Sequence, residues 1–519
     1  MTLRARTLRN TFFSSVAMYT EFALGMVTSI IIARHLGPEG FGAYSAVILL
    51  VGLGVAATNS GTASAAIKFV AELRGAGREV LVRPLVAYLR RAQRMFLLGV
   101  MVLGALALWL AGHRVAPDFH HGWLFGFLVL AVALRASYMF NIGVAKGLED
   151  FRINARVALV SAPLNLAMIA AVVWLDLPVE WLLGVFLVSG ALFFGMSLTA
   201  LRPLLPPGDD TPRIPADLVP RVRRQMLYST LIVSVGFVAA SEIEVLLLTA
   251  AGDAHAAGQF KVGYQLASGA AALVPGVFGA LLLPLMANAL SQGREVAGRR
   301  FTATTGYLGL LTIPLVVFGI VVAEPMVHLL YGNAYEEGGL ALAVCLAGTG
   351  IVAMAQGASS LLISADRQRA VLFLVLACGA AKVALGAFLV HRFGLHGALA
   401  SFLCVAVLNA MTYFTLAIRE SGASPDWARL GRTLVAALVA GAPVLLARDW
   451  LPPLPELLLG VACGALLYLP LTLALRCWSV NDIEHMQHLH GRLGAGRVRV
   501  GAGLLAWAHG RAIAGEARA

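Results

Sequence analysis

Apolar runs of about 20 residues, the length that crosses a hydrocarbon core roughly 30 Å thick, recur along almost the whole of this 519-residue chain. Their approximate limits are 11–33, 41–58, 95–111, 123–145, 157–175, 180–201, 228–250, 262–289, 303–323, 340–363, 370–390, 397–418, 430–447 and 456–475. In lipid, every backbone amide of such a run must be satisfied within the segment itself. The pattern therefore predicts an all-α polytopic membrane protein with about fourteen transmembrane helices. Pro275 and Pro284 fall inside 262–289 and predict a kink there.

Charge supports the same reading. Charged residues make up 13% of the chain, against roughly 25% in an ordinary soluble domain, so almost no soluble domain is expected. On a soluble protein a net charge of +12 would suggest a nucleic-acid partner. Here it sorts by side. With the N-terminus in the cytoplasm, 32 of the 39 lysines and arginines fall in cytoplasmic segments. Five, Arg34, Arg114, Lys261, Arg392 and Arg448, fall outside. That split follows the positive-inside rule, places both termini in the cytoplasm and removes the case for nucleic acid. The first run is of spanning length with no A-x-A site after it, so it reads as a span rather than a cleaved leader. Cys345, Cys378, Cys404, Cys463 and Cys477 lie in or beside apolar stretches without a CxxC pair, which predicts neither disulfides nor a zinc site.

A weak internal repeat runs at an offset of about 216 residues. Gly42-Ala43-Tyr44 matches Gly258-Gln259-Phe260, and Glu149-Asp150-Phe151-Arg152 matches Asp366-Arg367-Gln368-Arg369. Two six-span lobes in parallel orientation follow, 1–224 and 225–420, with two appended spans in 421–476 and a basic cytoplasmic tail, 477–519. His485, His488 and His490 in that tail raise a metal site; a solvated or surface-lying tail is the preferred reading.

Charges near the middle of a span are costly, about 2.5–3.5 kcal/mol each on insertion scales. Five stand out: Glu21, Arg135, Glu242, Glu244 and Lys382. They line a polar cavity, or they pair with one another as static bridges, Arg135 with Glu21 and Lys382 with Glu242 or Glu244. Arg135 and Lys382 are the candidate substrate contacts, because a guanidinium fork and an ammonium both suit phosphate oxygens. Glu21, Glu242 and Glu244 are the candidate ion-coupling carboxylates. Glu242 and Glu244 are two residues apart and point to different helix faces. Asn59, Lys68, Asn141, Asn165, Gln265, Asn288, Gln356 and Asn409 read as interhelical hydrogen-bonding residues.

No GxSxG, P-loop, HExxH or metal-spaced histidines on a helix are present, so neither an enzyme nor a cofactor is expected. The outer loops are short, the longest spanning about 324–339.

Four stretches, in order, carry a family resemblance. Residues Ile31-Ile32-Ala33-Arg34-His35-Leu36-Gly37-Pro38-Glu39-Gly40-Phe41-Gly42-Ala43-Tyr44 resemble the opening signature of the polysaccharide transporter family. Ala145-Lys146-Gly147-Leu148-Glu149-Asp150-Phe151-Arg152 resembles its GLxxF loop after the fourth span. Ala323-Glu324-Pro325-Met326 through Leu330-Tyr331-Gly332, and Phe393-Gly394-Leu395-His396-Gly397-Ala398, resemble its later marks. The family belongs to the multidrug/oligosaccharidyl-lipid/polysaccharide superfamily. The resemblance implies two six-helix lobes alternating about a central cavity in a bacterial inner membrane. It implies a flippase for undecaprenyl-pyrophosphate-linked oligosaccharide in O-antigen, exopolysaccharide or capsule synthesis. Membrane lipids, a polysaccharide polymerase and other assembly proteins are the partners it brings; H+ or Na+ coupling is left open. A peptidoglycan-precursor flippase, a cation-coupled drug exporter and a membrane enzyme of glycan assembly are the competing readings.

Overall fold

A computed structural model describes residues 3–115, 121–205, 214–240, 242–478, 482–484, 487, 506–507 and 509–510. The histidines of the tail lie outside the described residues, which contain no β-strand.

The helices are, in chain order, α1 (Leu3–Gly75), α2 (Val82–Val115), α3 (His121–Gly147), α4 (Arg152–Trp174), α5 (Val179–Leu201), α6 (Leu218–Ala240) and α7 (Ile243–Ala250). There follow α8 (Ala254–Ser291), α9 (Arg294–Val321), α10 (Ala323–Tyr331), α11 (Gly338–Met354), α12 (Gln356–Ser364) and α13 (Gln368–Ser421). The last three are α14 (Trp427–Ala447), α15 (Pro453–Cys463) and α16 (Leu469–Ala474). Each expected apolar run falls on helix, apart from short breaks. Two fall in α1, on either side of Gly37, and two in α13, on either side of Gly394. Both glycines have positive φ, and Pro38 begins the second half of α1, where its missing N–H is no loss. By length and composition, nine helices among the described residues can cross a membrane, or ten if the bent pair α6–α7 is one span. Fourteen crossings remain the sequence-based expectation. The protein is a multi-pass integral membrane protein.

The repeat is written in the backbone more clearly than in the side chains. Left-handed φ values occur at Gly37 (67°) and Gly252 (86°), at Gly77 (69°) and Gly293 (120°), at Glu149 (60°) and Asp366 (58°), and at Asp176 (50°) and Gly394 (53°). The members of each pair are 215 to 218 residues apart. Positive φ is uncommon outside glycine, so matched exceptions at Glu149 and Asp366 mark a shared turn rather than a shared composition.

The chain forms two compact units, residues 1–261 with 375–398, and residues 262–374 with 399–519. In the first, α1 packs against α2, α3, α4 and α6. Phe69, Leu85, Leu89, Phe140 and Val222 build one core there, and Val47, Leu124, Phe127 and Leu183 another. Lipid tails are as apolar as leucine, so close packing and small residues hold such helices together. Gly42 and Gly258 show how close: a Cβ at Gly42 would sit 1.9 Å from the Ala254 carbonyl oxygen, and one at Gly258 1.9 Å from that of Pro38.

In the second unit α9 packs against α11, α12 and α14. Arg429 ties the end of the last helices to this packing. Its Nε donates to the Cys477 carbonyl at 2.7 Å and its guanidinium lies 5.1 Å from the Tyr307 ring centroid. The Tyr307 hydroxyl donates to Asp482 at 2.5 Å.

Candidate functional site

Arg135 and Tyr138 are three residues apart on α3 and so share a face. Phe186 and Phe193, seven apart on α5, share another. The two faces meet. The Arg135 guanidinium carbon lies 4.8 Å from the Phe193 ring centroid, 5.8 Å from that of Tyr138 and 5.9 Å from that of Phe186. Tyr138 and Phe193 are edge to face at 5.0 Å. Ring faces attract a cation without consuming its N–H donors. Arg135 is half-buried, and among the described residues no carboxylate lies within 4.0 Å of it.

Glu21 meets Tyr138, the residue beside Arg135, and not Arg135 itself. The Tyr138 hydroxyl is 3.3 Å from Glu21 Oε1 and 3.2 Å from Asn154 Oδ1, and its one proton serves one of them at a time. Glu21 itself is exposed. The direct Arg135–Glu21 bridge considered from sequence does not form; Glu21 meets the Tyr138 hydroxyl instead.

The other three charges fall together at the break between α6 and α7. Glu242 caps α7 with non-helical dihedrals and Glu244 lies in its first turn. Lys382 Nζ is 3.4 Å from Glu244 Oε2, with side-chain exposures of 3% and 0%, and donates to the Ala239 carbonyl at 3.4 Å. Gly379, one turn earlier on α13, packs against Val235 and Ala239 of α6, which brings the lysine to the break. Glu242 pairs instead with Lys261 of α8. The two carboxylates thus face different lysines, as their spacing on opposite faces requires. Lys261 stands in an outer loop by sequence reckoning, which hid this second pair.

A polar network also escaped the sequence. Arg90 Nη2 donates to Asn141 Oδ1 at 2.8 Å, and Asn141 Nδ2 to Ser197 Oγ at 3.0 Å. Gln93 Nε2 donates to Asn59 Oδ1 at 3.2 Å and to the Ala136 carbonyl at 2.9 Å. Asn59 and Asn141 are interhelical hydrogen-bonding residues, as expected. Arg90 and Gln93, counted in a cytoplasmic segment, are three residues apart on one face of α2, and that spacing was the available signal. No group of three or more metal-ligating side chains occurs among the described residues.

A bundle of apolar helices with ionisable groups held inside it is the architecture of a polytopic membrane transporter. A family model described as polysaccharide biosynthesis protein matches residues 7–290, more than half of the chain, and the chain belongs to that family. No curated protein matches it in sequence. Among solved structures it is similar to the lipid II flippase MurJ in an inward closed conformation, with 12% identity, a TM-score of 0.69, and coverage of 89% of this chain and 98% of that one. It is also similar to a multidrug resistance MATE family transporter of the MOP superfamily. The inward-facing form gives a TM-score of 0.58 at 15% identity, covering 79% of this chain and 97% of that one. The outward-facing form gives 0.51 at 16%, covering 80% and 95%. At these identities the likeness establishes the fold.

Proposed function

We propose that this protein flips undecaprenyl-pyrophosphate-linked oligosaccharide units from the cytoplasmic to the periplasmic leaflet, by alternating access, for polysaccharide synthesis. Membership of the polysaccharide biosynthesis family and a fold like that of a lipid II flippase support the class. The observation that carries the substrate is Arg135. A guanidinium held by three aromatic rings, with no carboxylate beside it among the described residues, keeps its fork of donors for an outside anion, and a pyrophosphate presents oxygens that match a fork. A drug cation would be repelled there. Lys382 already faces Glu244 and a backbone carbonyl, so it acts as an internal counter-ion and Arg135 is the phosphate contact. Glu242 and Glu244 have lysine partners, which leaves Glu21, exposed and within reach of the Tyr138 hydroxyl, as the carboxylate for H+ or Na+ coupling.

The experiment is a comparison of Arg135→Lys and Arg135→Ala in cells that depend on the protein for polymer export. Both variants reach the membrane at normal levels, and lipid-linked oligosaccharide accumulates on the cytoplasmic leaflet, more with alanine than with lysine. Full export by Arg135→Ala at normal protein level removes Arg135 from the site.

A further inference from the structure

The outer surface of α2 carries one exposed stripe whose character changes along its length. Arg91 and Arg94 open it, and Met95, Leu98, Val102 and Trp109 continue it, with Met95 72% and Trp109 79% exposed. The spacing keeps these residues on one helix face. From Arg94 to Trp109 the stripe is roughly 22 Å long at 1.5 Å per residue, so its first half lies within reach of the acyl chain of one leaflet, about 15 Å deep. Tryptophan at its far end suits a membrane–water boundary.

Beside its cationic end stands Arg90. Asn141 fixes its guanidinium, which stacks 5.4 Å from the Phe140 ring centroid. Asn141 also holds Ser197, and α5 leads from there into Arg202. Arg90 is therefore framed by helices α2, α3 and α5. Partial burial, then the positive charges of Arg94 and Arg202, hold Arg90 below the usual guanidinium range. Among the described residues no carboxylate lies within 4.0 Å of any of the three. Like charges gathered without a counter-ion among the described residues are unfavourable, and an anion brought from outside relieves them.

We propose that Arg90, Arg94 and Arg202 bind the headgroup phosphate of an anionic phospholipid of the cytoplasmic leaflet, whose acyl chain lies along the nearer half of the stripe, from Met95 to Val102. A lipid is the one occupant that uses both parts of the stripe. Free phosphate would leave the apolar part bare, and a second copy docked at the same level would set arginine against arginine. Basic niches between helices at this membrane level suit anionic headgroups. The proposal does not depend on the flippase reading.

The test uses the full-length purified protein and counts retained lipid by native mass spectrometry, with phosphatidylglycerol, phosphatidylcholine and inorganic phosphate as separate probes. Wild type and the Arg223→Gln control retain phosphatidylglycerol preferentially and are stabilised by it against heat. Arg94→Gln with Arg202→Gln weakens that retention by about tenfold or more, and Arg94→Gln alone, at an exposed position, gives part of the loss. If the double variant fails to accumulate, the single variant decides. Retention unchanged in Arg94→Gln overturns the proposal. So does equal stabilisation by inorganic phosphate, which marks a free-anion site. A change of oligomeric state with lipid retention unaltered also overturns it, and marks a contact between copies.

Discussion

Gly42 and Gly258 occupy matching positions of the two repeats and lie against one another: each stands where the other helix's backbone leaves no room for a Cβ. Small side chains permit this backbone-to-backbone approach, the usual adhesive between helices in lipid. Gly42→Ala or Gly258→Ala would push a methyl group into a carbonyl oxygen. Overpacking of this kind costs about 1–3 kcal/mol or more. Either variant lowers the unfolding temperature of the purified protein. Melting curves that overlay the wild type in both cases would show that the crossing relaxes freely.

The Lys382–Glu244 pair gives an asymmetric prediction. Removing one member of a buried pair leaves the other uncompensated, at about 3–5 kcal/mol, whereas replacing both with apolar residues is often neutral or stabilising. Lys382→Met is accordingly depleted from the membrane and melts early. Lys382→Met with Glu244→Leu recovers most of the loss in a detergent melt. A double variant no better than the single one would mean that the lysine contributes more than a counter-charge.

Tyr138→Phe separates two roles. It keeps the aromatic ring beside Arg135 and removes the hydroxyl that links the ring to Glu21 and Asn154. A cation–ring contact is worth about 0.5–2 kcal/mol, so retention of the ring keeps the protein folded and the arginine in place. Export continues, with altered dependence on the H+ or Na+ gradient. If gradient dependence is unaltered in Tyr138→Phe and in Glu21→Gln, the carboxylate has no part in coupling.

Topology is checked through the repeat. In a parallel duplication, matched turns lie on the same side. Reporter fusions at Gly37 and Gly252 read periplasmic, and fusions at Gly77 and Gly293 read cytoplasmic. Discordance within either pair contradicts the parallel arrangement; concordance with both signs reversed inverts the whole chain.

The helices were legible in the sequence because lipid leaves a spanning segment few alternatives, and apolar length alone identifies it. The breaks were partly legible: Gly37-Pro38 and Gly394 announce themselves, while the break at Glu242 lies in an Ala-rich stretch without glycine or proline. Charges in spans drew attention to five residues, of which Glu244 and Lys382 are buried, Arg135 and Glu242 half-buried and Glu21 exposed. Their partners were not legible. Phe186 and Phe193 lie some fifty residues beyond Arg135, on a helix whose facing is set by packing and not by pattern. The choice of Glu244 over Glu242 by Lys382 depends on which face of a bent helix meets α13. Arg90 was hidden for the opposite reason: one more arginine in a basic segment carries no signal until Asn141 and Ser197 are placed beside it.

The segment 375–398 belongs to the first unit although most of that unit is made long before. Glu244 precedes Lys382 by 138 residues, and at synthesis rates of about 5–20 residues per second the interval is on the order of ten seconds. Throughout that interval the carboxylate has no lysine at 382 to answer it. The first unit is finished only when a late helix threads back into it, so the order of membrane insertion is part of the fold's requirements. A chain interrupted before residue 375 leaves the Glu244 carboxyl among apolar helices without the lysine that answers it.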